Sequence, residues 1–586
     1  MTGRTRAQSL PIAALACLTT AASGPSAAVA RPDPVADGSP TAESCAALGF
    51  RTVPRPGPVG MASPMVRHQA PPAPPPAPSF NIAAPQRLKE ADIVTGGRQA
   101  AGGMIVTPGL PARDTERYPG APSNPIRQTA QEPVSTFSVD VDTAAYSNVR
   151  RFLNEGATPP TDAVRVEELI NYFDYGYAPP ADRTNPFSTY VALAPSPWSA
   201  QKQILHIGIQ GFDLPRAEAP PLNLVFLVDT SGSMWGPDRL PLAQKSLNLL
   251  VDQMRPQDRV SIVAYAGSAG AVLEPTDGRS KLKVRCALGA LQAGGSTAGG
   301  QGLKLAYDLA RQNFDTRAVN RVILVTDGDF NVGIADPARL KDFVTDQRKT
   351  GVYLSVYGFG RGNYNDAMMQ ALAQNGNGTA AYVDSLQEAR KLFRTDFTST
   401  MFPIADDVKI QVEFNPAQVS EYRLIGYETR MLAREDFNND QVDAGEVGAG
   451  ASVTALYEIT PAGAPGSADP LRYGRPAPKA GPTGELAYLK IRYKLPGQSR
   501  SKLMERPVTA ADGAATLAAA PEATRWAVAV AGFGQKLRRD PRVSDGFGWQ
   551  DVVALAQGSR GQDPHGERAE FVQLARAAGD RGAAGE

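Results

Sequence analysis

With 586 residues the chain should hold roughly two to four structural units, too many for one hydrophobic core. Sixty Lys and Arg against 59 Asp and Glu leave a net charge of +1, which argues against nucleic acid or an anionic membrane surface as the main partner, since both reward a concentrated basic patch. Three histidines, at 68, 206 and 565, are too scattered for a His-rich zinc site, and three cysteines, at 17, 45 and 286, allow at most one internal disulfide. A hydrophobic fraction of 42% with 20% charged residues is that of an ordinary globular protein.

At the N-terminus, Arg4 and Arg6 precede an apolar run from Ser9 to about Ala22, and Ala28-Val29-Ala30 supplies a small-x-small cleavage site. That order predicts a secretory signal peptide over 1–30 and an exported protein, periplasmic or associated with the cell envelope. The run is too short to span a bilayer, and no later segment is apolar for the length a membrane span needs. Cys17 after Ala14-Leu15-Ala16 loosely fits a lipoprotein box, so a lipid anchor there stands as the alternative to cleavage. Residues 31–130 hold 19 of the 50 prolines and are expected to be a disordered, Pro/Ala-rich tether. Cys45 lies in it; Cys286, on a predicted helix, is expected to be a buried inert thiol rather than its disulfide partner.

Order is predicted from Val134. Phe137 to Val141 alternates as a strand; Ala144 to Leu153 and Val164 to Phe173 carry helical spacing; Ser188 to Ala194 and Gln203 to Gln210 read as strands. From Leu222 to Val228 the sequence is almost continuously apolar, which suits a strand buried on both faces of a parallel sheet. Further buried strands are expected at Val260 to Tyr265, Arg321 to Thr326, Tyr353 to Tyr357 and Ala380 to Val383. Helical patterns separate them at Leu240 to Met254, Leu282 to Leu291, Leu303 to Arg311, Leu340 to Lys349 and Ala367 to Ala373, and Leu386 to Phe397 closes the series. The alternation predicts a doubly wound, mostly parallel α/β domain at 222–397. Period-two strands then follow at Val408 to Phe414, Val453 to Ile459 and Leu486 to Tyr493, with helices at Ala523 to Leu537, Gln550 to Ala556 and Glu567 to Ala577. Strands on both sides of the α/β domain imply that it is inserted in, or flanked by, a β-rich domain with terminal helices, giving segments 131–221, 222–397 and 398–586.

The first buried strand ends in Asp229-Thr230-Ser231-Gly232-Ser233. An aspartate and two serines at steps of two place three oxygen ligands on one turn, at the strand end where open α/β sheets bind ligands. Thr326-Asp327-Gly328 puts a second carboxylate at another strand end, and Gly294-Gly295-Ser296-Thr297 adds a hydroxyl before a helix. Carboxylates and hydroxyls without imidazole or thiolate suit a hard cation: Mg²⁺ first, with Mn²⁺ or Ca²⁺ as alternatives.

At these residues, Leu222 to about Phe397 resembles a von Willebrand factor A domain with a metal-ion-dependent adhesion site. The resemblance implies that Asp229, Ser231, Ser233 and Thr297 supply metal-site oxygens, that Asp327 acts directly or through water, and that a partner protein's Asp or Glu carboxylate fills the last position. Many members read Gly-Gly-Thr where Ser296 intervenes here. The segments Phe137 to Tyr146, Val166 to Phe173, Glu435 to Asp440 and Gly445 to Gly450 are similar to the bacterial YfbK-like proteins, extending the resemblance over about 134–577.

Other motifs carry less. Asp436-x-Asn438-x-Asp440 starts like a calcium loop, but Gln441 stands where Gly should turn the chain and Val447 where the bidentate Glu belongs. Asp140 and Asp142 could pair at a site, but outward neighbours on an alternating strand explain them as well. A Ser-His-Asp triad would need His206 or His565 without a G-x-S-x-G elbow, and Gly358 to Asn363 lacks the third glycine of a dinucleotide loop. The expectation is therefore a non-enzymatic, metal-dependent protein-binding protein; an envelope assembly factor and a metal-assisted hydrolase are the rivals.

Overall fold

In the computed structural model, residues 39–51, 116–140, 142–295, 299–328, 337–467, 484–543 and 546–582 are described. Six strands form the central sheet: β1 (Leu222–Asp229), β2 (Arg259–Tyr265), β3 (Ala269–Asp277), β4 (Val319–Thr326), β5 (Val352–Phe359) and β6 (Ala380–Val383). Their order is β6-β5-β4-β1-β2-β3, parallel throughout except for β3, which runs antiparallel beside β2. All eight residues of β1 are buried because helices cover both faces. Leu224, Phe226 and Val228 point into one core with helices Leu240–Gln253 and Lys281–Gly289; Val225 and Leu227 point into the other with Leu303, Tyr307, Leu340 and Val344. The period-two alternation of side chains divides one continuous apolar run between two cores.

Around this unit lies an antiparallel β-sandwich built from both flanks. One sheet joins Phe187–Pro195 and Gln203–Gly211 to Ser452–Pro461 and Val419–Ile425; the other pairs Val134–Ser138 with Pro403–Phe414, which continues to Glu485–Lys494 and Lys502–Thr509. His206 stands opposite Leu456 and Ser138 opposite Lys409, so the α/β unit is inserted between the two halves of the sandwich. A third core gathers helices Ala144–Asn154, Val166–Ile170, Glu522–Leu537, Trp549–Gly558 and Glu567–Gly582 around the fully buried Trp526. No helix among the described residues is long and apolar enough to cross a membrane.

The structure departs from the sequence reading in four places. Order begins earlier: Arg117 shares backbone hydrogen bonds with Tyr364 and Asp366, and Arg127–Gln128 adds a short strand beside Val419–Ile425. Within the stretch assigned to the tether, Ala42–Ala47 is a helix capped by Thr41, and Cys45 is disulfide-bonded to Cys286 with Cα atoms 5.2 Å apart, so Cys286 is no free thiol. The signal segment, Cys17 and residues 52–115 lie outside the described residues. Strands β3, Val419–Ile425 and Lys502–Thr509 carried no clear pattern. The first and last are half-exposed edges with Gly270, Pro275 and Pro507; the middle one hides Glu421, whose carboxylate accepts the Ser467 N–H, and Arg423, ion-paired with Glu458 and Asp540. The closing helix is broken into Leu386–Arg390, a π-helical turn Lys391–Thr395 and Phe397–Met401.

Candidate metal centre

The chain leaves β1 toward β2 on one side and reaches β4 on the other, so the carboxyl ends of β1 and β4 flank the sheet's topological switch point. Asp229 ends β1 and Asp327 follows β4; both are buried. Asp229 Oδ1 accepts the Ser231 N–H at 2.8 Å, an Asx turn that bends the chain into the short 3₁₀ turn Gly232–Met234. Its Oδ2 accepts the hydroxyls of Tyr265 at 3.3 Å and Thr326 at 3.2 Å. The Ser231 and Ser233 hydroxyls lie 2.9 Å apart. Burial, with the Asp327 carboxylate adding to it, pushes Asp229 up to about 6, against hydrogen bonds from Ser231 and Thr326 that pull it down.

The third loop is fastened to the first. Gly294 donates to the Thr230 carbonyl at 2.8 Å, and Gly232 donates to the Gly295 carbonyl at 3.0 Å. Thr297, two residues on, lies outside the described residues. Asp229, Ser231, Ser233 and Asp327 are thus brought to one edge. Among the described residues no three imidazoles, thiols or carboxylates converge as a metal cluster; the donor set here is two carboxylates with hydroxyls, which fits a hard divalent cation rather than a soft one.

One residue of the rim escaped sequence reading. Arg239 stands 3.6 Å from Asp327 Oδ2, donates to the carbonyl of Ser233 and, at 2.6 Å, to that of Arg361. It precedes the helix Leu240–Gln253, where a cation opposes the helix dipole, and that misplacement was the legible signal. Gly360, at φ +74°, leaves room for it: a Cβ there would lie 2.4 Å from Arg239 Cγ. The Gly358–Asn363 loop therefore belongs to this rim. Trp235 beside it is 80% exposed, the most exposed large hydrophobic side chain among the described residues.

The remaining candidates are frame rather than site. Asp140 and Asp142 do not point outward: both accept from the Arg430 guanidinium, at 3.0 and 3.2 Å, and Asp142 also accepts the Ala380 N–H at the edge of β6. In the Asp436–Asp440 loop the side chains are engaged within the protein: Asp436 accepts the Ala433 N–H and Asn438 the Arg492 guanidinium, while Lys409 Nζ takes the carbonyls of Asp436 and Asn439 and Lys494 Nζ that of Asp440. His206 is buried between the Tyr177 hydroxyl at 2.6 Å and Thr524 Oγ1 at 3.0 Å, and burial pushes its imidazole down to about 3.

Three family models match: "von Willebrand factor" over residues 112–206, "von Willebrand factor type A domain" over 223–395, and "Uncharacterized protein YfbK, C-terminal" over 399–580. The chain is 46% identical over 496 residues to the uncharacterized protein YfbK of Escherichia coli (strain K12), covering 83% of this chain and 84% of that protein. It is 32% identical over 177 residues to the uncharacterized protein sll0103 of Synechocystis sp., covering 30% of this chain and 41% of that protein. Among solved structures, a von Willebrand factor type A protein from Catenulispora acidiphila is similar over 69% of this chain and 91% of its own, with 16% identity and a TM-score of 0.40.

Proposed function

Because this chain belongs to the YfbK family and carries a von Willebrand factor type A domain, we propose that it binds a partner protein through a Mg²⁺ held at the switch point of its central sheet. The observation that carries this reading is the convergence of Asp229, Ser231, Ser233 and Asp327 on one edge, with Asp229 buried among hydroxyl groups and, among the described residues, no cationic side chain paired with it. A buried carboxylate in that setting gains from a cation at its free lone pairs. Asp229, Ser231 and Ser233 would hold the ion, Thr297 would add a hydroxyl, and Asp327 would take part directly or through water. Mn²⁺ and Ca²⁺ satisfy the same donor types.

The metal attracts and orients a carboxylate; the protein around it supplies the rest of the contact. An Asp or Glu of the partner would complete the coordination. Trp235, exposed at the rim, offers the aromatic anchor that protein interfaces favour. The reading is non-enzymatic, and the burial of His206, with both ring nitrogens taken by the buried Tyr177 and Thr524 hydroxyls, supports that. Export, with residues 1–30 as signal peptide or Cys17 as lipid anchor, is part of the proposal and draws support from the Cys45–Cys286 bridge, since disulfides persist in oxidising compartments. Mn²⁺ titration of the full chain, monitored by electron paramagnetic resonance, tests the site. One saturable site lost in Asp229→Ala is the expected result; equal binding by the variant would overturn the reading.

A further inference from the structure

Arg239 brings a positive charge to the same edge that would hold the metal. Its Nη1 stands 3.6 Å from Oδ2 of the buried Asp327 and donates to the Ser233 carbonyl, while Nη2 donates to the Arg361 carbonyl at 2.6 Å. The seat is shaped for this side chain, because a Cβ at Gly360 would overlap Arg239 Cγ and Nε. Helix stability does not account for a cation here. Arg239 caps the N-terminus of Leu240–Gln253, where positive charge is disfavoured, and its side chain makes no capping hydrogen bond. A neutral donor would serve the two carbonyls equally well. The group that calls for the charge of the guanidinium is Asp327.

The charge arithmetic at this edge has a consequence for what binds there. Ligation requires ionised carboxylates, so Asp229 and Asp327 contribute −2 and Arg239 contributes +1. A divalent cation then leaves the filled site at +1, whereas without Arg239 the filled site would be neutral. Charges this close and this poorly hydrated interact strongly. Arg239 therefore works against the metal alone and in favour of the metal together with an anion. We propose, resting on the reading that this edge holds a divalent cation, that Arg239 couples the two ligands: it keeps the metal weakly held by itself and makes the filled site select an acidic group over a neutral oxygen donor. The coupling is reciprocal, since a carboxylate must tighten the metal by the factor by which the metal tightens the carboxylate.

Mn²⁺ titration of the full chain by electron paramagnetic resonance, with Arg239→Gln and Arg239→Lys beside the wild type, separates charge from grip. Both variants lose the forked hold on the Ser233 and Arg361 carbonyls, and they differ in the charge beside Asp327. Arg239→Gln should bind Mn²⁺ at least about fivefold tighter than Arg239→Lys. Acetate is the carboxylate probe, added at constant ionic strength with affinities referred to free Mn²⁺. It should tighten Mn²⁺ binding by a larger factor in the wild type and Arg239→Lys than in Arg239→Gln. Equal Mn²⁺ affinities in the two variants, tighter binding by Arg239→Lys, or the same acetate effect in all three proteins would each overturn the coupling. The metal site itself would still stand on saturable binding that Asp229→Ala abolishes. Absence of Mn²⁺ binding from all three proteins would overturn the metal reading and the coupling with it.

Discussion

Asp229 carries two opposed demands, and both are measurable. Its folded-state value of about 6 lies above the ordinary 3.8, so the metal-free native protein takes up a proton as pH falls from about 6 toward 4. Stability of the metal-free protein should therefore rise across that window, and above pH 6 the buried charge costs on the order of 3 kcal/mol. Asp229→Asn should raise the urea midpoint at pH 7.5 in the presence of a chelator while abolishing Mn²⁺ binding; a lowered midpoint would mean that the carboxylate is held for stability instead. Divalent-metal affinity should fall with pH through the same range, because only the ionised carboxylate ligates. Trp235 makes the contrasting prediction. With its ring 80% exposed, Trp235→Ala should change stability by less than about 0.5 kcal/mol and leave Mn²⁺ affinity unchanged. The aspartate and serines were legible because their chemistry and spacing are written consecutively. Arg239 showed only as a cation misplaced before a helix, and its role was hidden because its partners Ser233, Asp327 and Arg361 meet only when three loops close.

Between elements, buried guanidinium groups do the joining. Arg150, on helix Ala144–Asn154, reaches Asp384 and Glu388 beyond β6 and Glu570 on the C-terminal helix Glu567–Gly582. Removing one partner of such a cluster strands the others without compensation. Arg150→Met should cost about 3–5 kcal/mol in chemical denaturation, whereas an exposed pair such as Arg183–Glu218 should cost under about 1 kcal/mol when broken. The disulfide acts on another pair of elements, fixing helix Ala42–Ala47 to helix Lys281–Gly289 across a separation of 241 residues. A closed loop of that length restricts the unfolded chain strongly, so reduction should lower stability by about 2–5 kcal/mol; urea curves with and without reductant would show it. Most helices and interior strands were readable from their periods. The edge strands were not, because a half-exposed strand with Gly or Pro has little apolar pattern to display.

For the molecule as a whole, the inserted α/β unit is bound to its surroundings through ion pairs buried from water. Arg165 joins the N-terminal segment to Asp366 on the helix Asp366–Asn375, and Arg430 of the sandwich holds Asp142, whose other oxygen accepts from Ala380 in β6. Units tied in this way should unfold together. Calorimetry of the full chain is expected to show one transition, and the double variant Arg165→Met, Arg430→Met to show two, with the α/β unit separating from the sandwich. The disulfide also changes the reach of the chain. A stretch of about 100 residues between the N-terminus and the folded body was the sequence expectation, but residues 39–51 are fastened to the α/β unit. Only the residues before them count toward the distance from an N-terminal anchor.

Read alone, the sequence determined the doubly wound α/β unit, its insertion between β-rich flanks, and the Asp229-x-Ser231-x-Ser233 motif. Each of these is encoded locally, in hydrophobic period, turn residues and ligand spacing. Only the tertiary structure decided that Cys45 meets Cys286, that Asp140 and Asp142 turn inward to Arg430, and that His206 is sealed between Tyr177 and Thr524. Those facts depend on which distant residues pack together, and a side chain's charge, exposure and reactivity are set by the neighbours that folding brings to it.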